Sequence, residues 1–203
     1  GFSAEDVLAR ITPATRLIIL NSPANPTGGV SARAEVDKLV AGLQRHPRVA
    51  VLSDEIYGQM LYDGRAHVSL LQYPEMRERL ILLDGWSKTY AMTGWRLGYA
   101  VWPAALVEAA TRLAINCHSC VNAAAQYAGI AALTGPQDAV ADMVAAFAAR
   151  RRAVVDALND IPGISCVEPG GAFYAFPNIG GTGLAAKELE VKLLDEAGVA
   201  TIA

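Results

Sequence analysis

The chain has 203 residues, 53% of them hydrophobic and 18% charged, with a formal net charge of −3. That balance supplies a sizeable core, excludes a disordered chain, and gives no electrostatic reason to expect nucleic acid or an anionic membrane as partner. No apolar run reaches the roughly 18 residues of a membrane span, the first residues lack the basic and apolar regions of a signal peptide, and three cysteines are too few for a disulfide framework.

Compact apolar runs alternate with helix-length amphipathic stretches. Arg16 to Leu20 reads as a buried strand followed by turn residues. Ser31 is placed to cap a helix carrying Val36, Leu39, Val40 and Leu43, closed by His46-Pro47. Strands follow at 49–52, 80–83 and 97–101. Strands separated by helical segments predict an α/β sheet, mostly parallel and buried on both faces.

Beyond Pro103 the residues become Ala-rich. Helices are expected at 104–116 and 121–133, and a long one at 137–158 with Val140, Met143, Val144, Phe147, Val154 and Leu158 on one face. Arg150-Arg151-Arg152 within it reads as a solvated face. Two short strands are expected at 164–167 and 172–176, around the turn Glu168-Pro169-Gly170-Gly171, and a last helix at 184–197. The resulting division is a large domain over 1–134, a bridging helix over 135–160 and part of a smaller α+β domain over 161–203. Both ends read as cut: there is no initiator Met, and the chain stops in an apolar stretch like half a strand.

Ligands of an open parallel sheet gather beyond the carboxyl ends of its strands. Three successive strands here deliver chemistry to that rim: Asn25-Pro26-Thr27-Gly28 after the first, Asp54-Glu55-Ile56-Tyr57 after the second, and Asp84-Gly85-Trp86-Ser87-Lys88 after the third. Each alone is ordinary. The first is turn chemistry, Asp54 suits any strand end, and a lone lysine is usually solvated. Tyr57, three residues past Asp54, would share a helical face with it. Lys88 is flanked by Trp86, Tyr90, Met92 and Trp95, a setting for a partly desolvated amine, which burial favours in the neutral, nucleophilic form. Arg96 offers a planar fork suited to phosphate. Cys117 and Cys120 form a CxxC around His118, without the second pair that a zinc site needs, and read as structural or incidental thiols.

Taken together, Asn25-Pro26-Thr27-Gly28, Asp54-Glu55-Ile56-Tyr57 and the run Ser87 to Gly98 resemble the class I/II aminotransferases, enzymes of fold type I that use pyridoxal 5'-phosphate. The resemblance extends to Gly170-Gly171-Ala172-Phe173-Tyr174, similar to a strand turn of the family's small domain. It implies a Schiff-base lysine at Lys88 that also moves the substrate's proton. It further implies Asp54 against the pyridine nitrogen, Asn25 and Tyr57 on the ring's phenolic oxygen, and Arg96, with Ser87 beside it, on the phosphate. Gly85 departs from the pattern, since related sequences often carry a serine there for the phosphate.

The family's N-terminal phosphate loop and its carboxylate-binding C-terminal arginine are not among these residues. The chain is therefore expected to be an internal fragment, poorly active alone. The parent is expected to be a cytoplasmic homodimer acting on an L-amino acid, aspartate-like by preference, and a 2-oxo acid. A C–S lyase or synthase on the same fold, or an aminotransferase-like effector domain of a transcription regulator, are the alternatives.

Overall fold

The computed structural model describes all 203 residues. Four strands form one sheet in the order β1 (Leu17–Asn21), β2 (Ala50–Asp54), β3 (Leu80–Gly85) and β4 (Gly98–Val101). The first three run parallel and β4 pairs antiparallel with β3, so the sheet is mixed and mostly parallel. Each parallel crossover needs a dozen or more residues, and the amphipathic stretches supply them.

Helices α1 (Ala4–Ala9) and α2 (Arg33–Leu43) cover one face of the sheet. Val36, Leu39, Val40 and Leu43 of α2 meet Val51 and Leu80 of the strands, with Ala4 and Met76 closing the core. Alternation along β2 sets the sides: Val51 and Ser53 face this core, while Ala50, Leu52 and Asp54 face the other way and are only half-buried. That second face is not covered near β1, where Ile19 is 68% exposed. An apolar run tells which faces repel water, not which of them this stretch of chain covers.

The remaining helices are α3 (Trp86–Thr89), α4 (Ala104–His118), α5 (Ala123–Thr134), α6 (Asp138–Asn159) and α7 (Ala186–Ala197). Helix α1 is absent from the sequence reading, although Ser3 caps it by accepting from the Asp6 amide. Ser31 is not the cap of α2; Ala32 holds that position, and the Ser31 amide instead donates to Ser22 Oγ at 2.9 Å. No strands form at 164–167 or 172–176. The first holds one isolated bridge, Ser165 with Asn178; the second holds none, and only Gly171 just before it bridges Leu61, with no ladder continuing from either.

Candidate functional site

The first rim loop is anchored by a residue that sequence reasoning passed over. Asn21 Nδ2 donates to the Asp54 carbonyl at 3.1 Å, and Asn21 Oδ1 accepts from the Asn25 amide at 2.7 Å. Asn25 itself stands exposed at the rim. Gly28 closes the loop with φ +64°, where a Cβ would lie 2.3 Å from Pro169 Cβ. Only glycine allows so close an approach, and Gly28 O then accepts from the Gly171 amide at 3.1 Å.

Asp54 ends β2 half-buried, its Oδ1 accepting from the Ile56 amide at 3.2 Å. Residues 55–58 form a turn, with Gly58 N donating to Glu55 O at 2.7 Å, rather than the helix implied by the spacing of Asp54 and Tyr57. The turn still returns Tyr57 to the rim, 3% exposed. Burial, joined by a hydrogen bond with Tyr174, pushes the Tyr57 hydroxyl far above the usual tyrosine range, so it stays protonated at neutral pH.

Ser87 and Lys88 lie on α3 directly after β3, both half-buried. Lys88 Nζ sits 5.9 Å from the Tyr57 ring centre and 5.4 Å from that of Phe173. The aromatic setting is therefore real, but its walls come from distant segments. Trp86 turns away, donating from Nε1 to Gly129 O at 3.0 Å and packing on Tyr99, and Trp95 is exposed. Phe173 and Tyr174, quoted in the sequence only as part of a turn, belong to the site; two aromatics after a double glycine were the signal available.

Gly85 has a steric reason to differ from serine. A Cβ there would meet Gly98 Cα at 2.8 Å and Leu97 O at 2.9 Å, so the missing side chain is what lets β4 close on β3. Arg96 is exposed with φ +55°, and its Nη1 donates to Thr93 O at 3.0 Å. It borders an open groove shared with Trp95, His118, Cys120 and Asn122, and Lys88 is not among that groove's walls. Cys117 and Cys120 are both free and exposed, flanking the break between α4 and α5.

Two further polar clusters surround the rim. Glu55, 6% exposed, accepts from Ser53 Oγ at 2.9 Å and the Leu70 amide at 3.1 Å, and pairs with His67 Nε2 at 2.7 Å. Burial alone would raise its carboxyl. Hydrogen bonds from His67, the Ser69 hydroxyl and the Leu70 amide outweigh that and hold it below the usual range. Asp84 goes the other way: burial raises it against hydrogen bonds from the Gly85 amide and the Tyr99 hydroxyl.

The second cluster corrects the reading of Arg150-Arg151-Arg152 as a solvated face. Arg151 is buried, forking onto both Asp63 oxygens at 2.7 and 2.8 Å, with Glu168 at 3.0 Å and Pro169 O at 2.9 Å. Its guanidinium lies 4.6 Å from the Tyr62 ring centre. The reason is helical spacing: Phe147, Arg151 and Val155 are four apart and share the inward face of α6.

A sequence profile of the aminotransferases of class I and II matches residues 1–203. An aspartate aminotransferase from Geobacillus stearothermophilus is 41% identical over 98% of this chain and 52% of its own length. The crystal structure of an aspartate aminotransferase from Rhizobium meliloti superposes with a TM-score of 0.93 at 38% identity, over 100% of this chain and 53% of that one. An aromatic aminotransferase from Pyrococcus horikoshii gives 0.94 at 36% identity, over 100% and 54%. The chain thus spans about half the length of the relatives it matches.

Proposed function

The chain belongs to the class I and II aminotransferase family, with the α/β architecture of fold type I, and from that premise we propose that the whole protein moves an amino group between an L-amino acid and a 2-oxo acid at Lys88. The names of the relatives favour an aspartate-like amino acid. The observation that carries the reading is the Lys88 amine, held against the faces of Tyr57 and Phe173 beside the rim that bears Asp54.

Pyridoxal 5'-phosphate is the family's cofactor, and the donor set fits it. An amine suits its aldehyde, a carboxylate its ring nitrogen, a phenol and an amide its ring oxygen, and a guanidinium its phosphate. Lys88 has aromatic rather than carboxylate neighbours, Asp54 keeps an oxygen beyond the one bonded to Ile56, and the Arg96 fork is engaged only through Nη1 to a carbonyl. When bound, the cofactor supplies an electron sink for the charge left when a proton leaves the substrate's α-carbon.

The chain's own groups do the rest. Lys88 would anchor the cofactor covalently and would serve as the base that takes and returns the substrate's α-proton. Asp54 accepts a hydrogen bond from the ring nitrogen and keeps it protonated. Asn25 and Tyr57 donate to the ring oxygen. Arg96 holds the phosphate with Ser87 beside it, and the steric block at Gly85 leaves that task more dependent on Arg96.

The division into a large domain over 1–134, a bridge over 135–160 and a partial small domain over 161–203 belongs to the same proposal; α6 supports it by running unbroken from Asp138 to Asn159. So does assembly as a homodimer, supported by the unpartnered apolar residues Leu113, Ile115, Tyr127 and Ile130 of α4 and α5. No helix is long and apolar enough to cross a membrane, and the free thiols suit the reducing cytoplasm we infer for the protein.

The test is Lys88→Ala in the full-length protein. The visible absorbance of the bound cofactor should vanish, and transfer from aspartate to 2-oxoglutarate should fall by about 10²–10⁴-fold or more. A band that persists unchanged sinks the assignment. Release of sulfide from cysteine, or of a thiol amino acid from cystathionine, without 2-oxoglutarate dependence, would point to the lyase instead.

A further inference from the structure

Tyr57 has one hydroxyl proton and, on the reading above, one oxygen to give it to. Yet its hydroxyl already shares a hydrogen bond with that of Tyr174, from a segment 117 residues away. The two rings meet edge to face at 5.6 Å, and Phe173 packs on both.

Tyr174 is not held loosely. Ala172, with φ +57°, donates from its amide to Met60 O at 2.9 Å, and its carbonyl accepts from the Tyr62 hydroxyl. The Gly171 amide is bonded to Gly28 O, and Gly170 O accepts from the Tyr62 amide at 3.1 Å. Arg151 pins Pro169 O and Glu168 from beneath. Phe173 stacks on Phe147 of α6 at 5.5 Å. Every backbone group from Pro169 to Ala172 that is bonded here ties the second phenol to the first rim loop, the turn after β2 or the long helix.

We propose that Tyr174 is a positioning residue that donates its hydroxyl proton to the Tyr57 oxygen and so commits the single Tyr57 proton to the ring oxygen of the bound cofactor. Two hydroxyls in series polarise each other, and the outer donor strengthens the inner one. The other titratable groups facing Tyr57 are Asp54, whose negative charge opposes ionisation of the phenol, and Lys88 above its ring. Neither supplies a hydrogen bond to the Tyr57 oxygen in this structure, which leaves that task to Tyr174.

The inference rests on the cofactor reading, and the experiment separates the two. The visible absorbance of full-length holoenzyme is titrated with pH for wild type, Tyr57→Phe, Tyr174→Phe and the double variant. A donor on the ring oxygen lowers its basicity; losing the donor leaves an oxygen that holds the proton on the attached Lys88 nitrogen more tightly, so the midpoint rises. Tyr57→Phe should raise it by about 1–2 units, the worth of a hydrogen bond to a charged group. Tyr174→Phe should raise it by about 0.3 unit, and the double variant should match Tyr57→Phe alone, since Tyr174 acts only through Tyr57. An intact band whose midpoint does not move in Tyr174→Phe, or shifts that add in full in the double variant, overturns the inference alone. A wild-type holoenzyme with no visible band fails the cofactor reading and this inference with it.

Discussion

Asp54 and Glu55 are consecutive residues at the end of β2, and their carboxylates live in different surroundings. Alternation sends Glu55 to the side packed by α2, where Ser53, His67 and Leu70 occupy its oxygens. Asp54 faces the other side, half-buried, with one backbone amide for company. Glu55 is the more deeply buried of the two, and its hydrogen bonds hold its carboxyl below the usual range. What separates them is spare hydrogen-bonding capacity: Glu55 is saturated from within the chain and Asp54 is left able to bind something else. The Arg151 cluster sits with Glu55 in this respect, and Lys88 with Asp54.

That contrast predicts which substitutions damage chemistry and which damage the fold. The largest effect should come from Asp54→Asn in the full-length enzyme. Removing the charge that the proposed function sets against the ring nitrogen should cut kcat by about 10²–10³-fold, the size typical of one lost electrostatic partner, while thermal stability stays within about 0.5 kcal/mol because few native bonds are lost. A variant that keeps its kcat, or one that melts much earlier, breaks the contrast at its strongest point.

Arg151→Met should do the reverse. It deletes the fork onto Asp63 and Pro169 O from the inward face of α6. The carboxylates are half-exposed and can return to water, so the loss is about 2–3 kcal/mol rather than the full cost of a stranded buried charge. Denaturant midpoints measure it. Arg151→Lys should not recover wild-type stability, because an ammonium cannot reproduce the fork; full recovery would show that charge without geometry suffices.

How much of this was legible beforehand follows from what sequence encodes. Residue type and order gave Asn25, Asp54, Tyr57 and Lys88 as rim residues, since strand ends can be read from apolar runs and turn residues. Asn21 was not legible, because its role depends on which strands are neighbours. The aromatic partners of Lys88 were sought among Trp86 and Trp95, close in sequence, whereas Phe173 arrives through the tertiary fold. Arg151 was misread from its charged neighbours, although the four-residue spacing from Phe147 and Val155 already carried its inward direction.

Gly85→Ser sharpens the contrast next, because it places a hydroxyl three residues before Lys88, on the rim. On local chemistry the change should tighten the hold on a phosphate. The packing says otherwise, with backbone atoms of Leu97 and Gly98 within 3 Å of the new Cβ. Backbone cannot swing aside as a flexible side chain can, so the variant should lose about 2 kcal/mol of stability. Its cofactor dissociation constant, measured by fluorescence or absorbance titration, should not improve. A tighter complex with unchanged stability would mean that β4 yields easily.

The smallest effect should come from Glu55→Gln, and it carries a sign that the others lack. A glutamine offers one acceptor oxygen where the carboxylate offers two, so donors now shared among Ser53, His67 and Leu70 compete, at a cost of about 1 kcal/mol near neutral pH. In the folded chain the carboxyl is held below its ordinary value of 4.5. An acid depressed by folding stabilises the fold fully above its unfolded value, and that contribution fades as pH falls through the folded one. Wild type should therefore lose melting temperature below about pH 4.5 more steeply than Glu55→Gln, which has no proton to take up there. The gap between the two curves should be widest at neutral pH and narrow on acidification. A gap that stays constant with pH would mean the Glu55 bonds stabilise through shape alone, and the saturated side of β2 would owe nothing to charge.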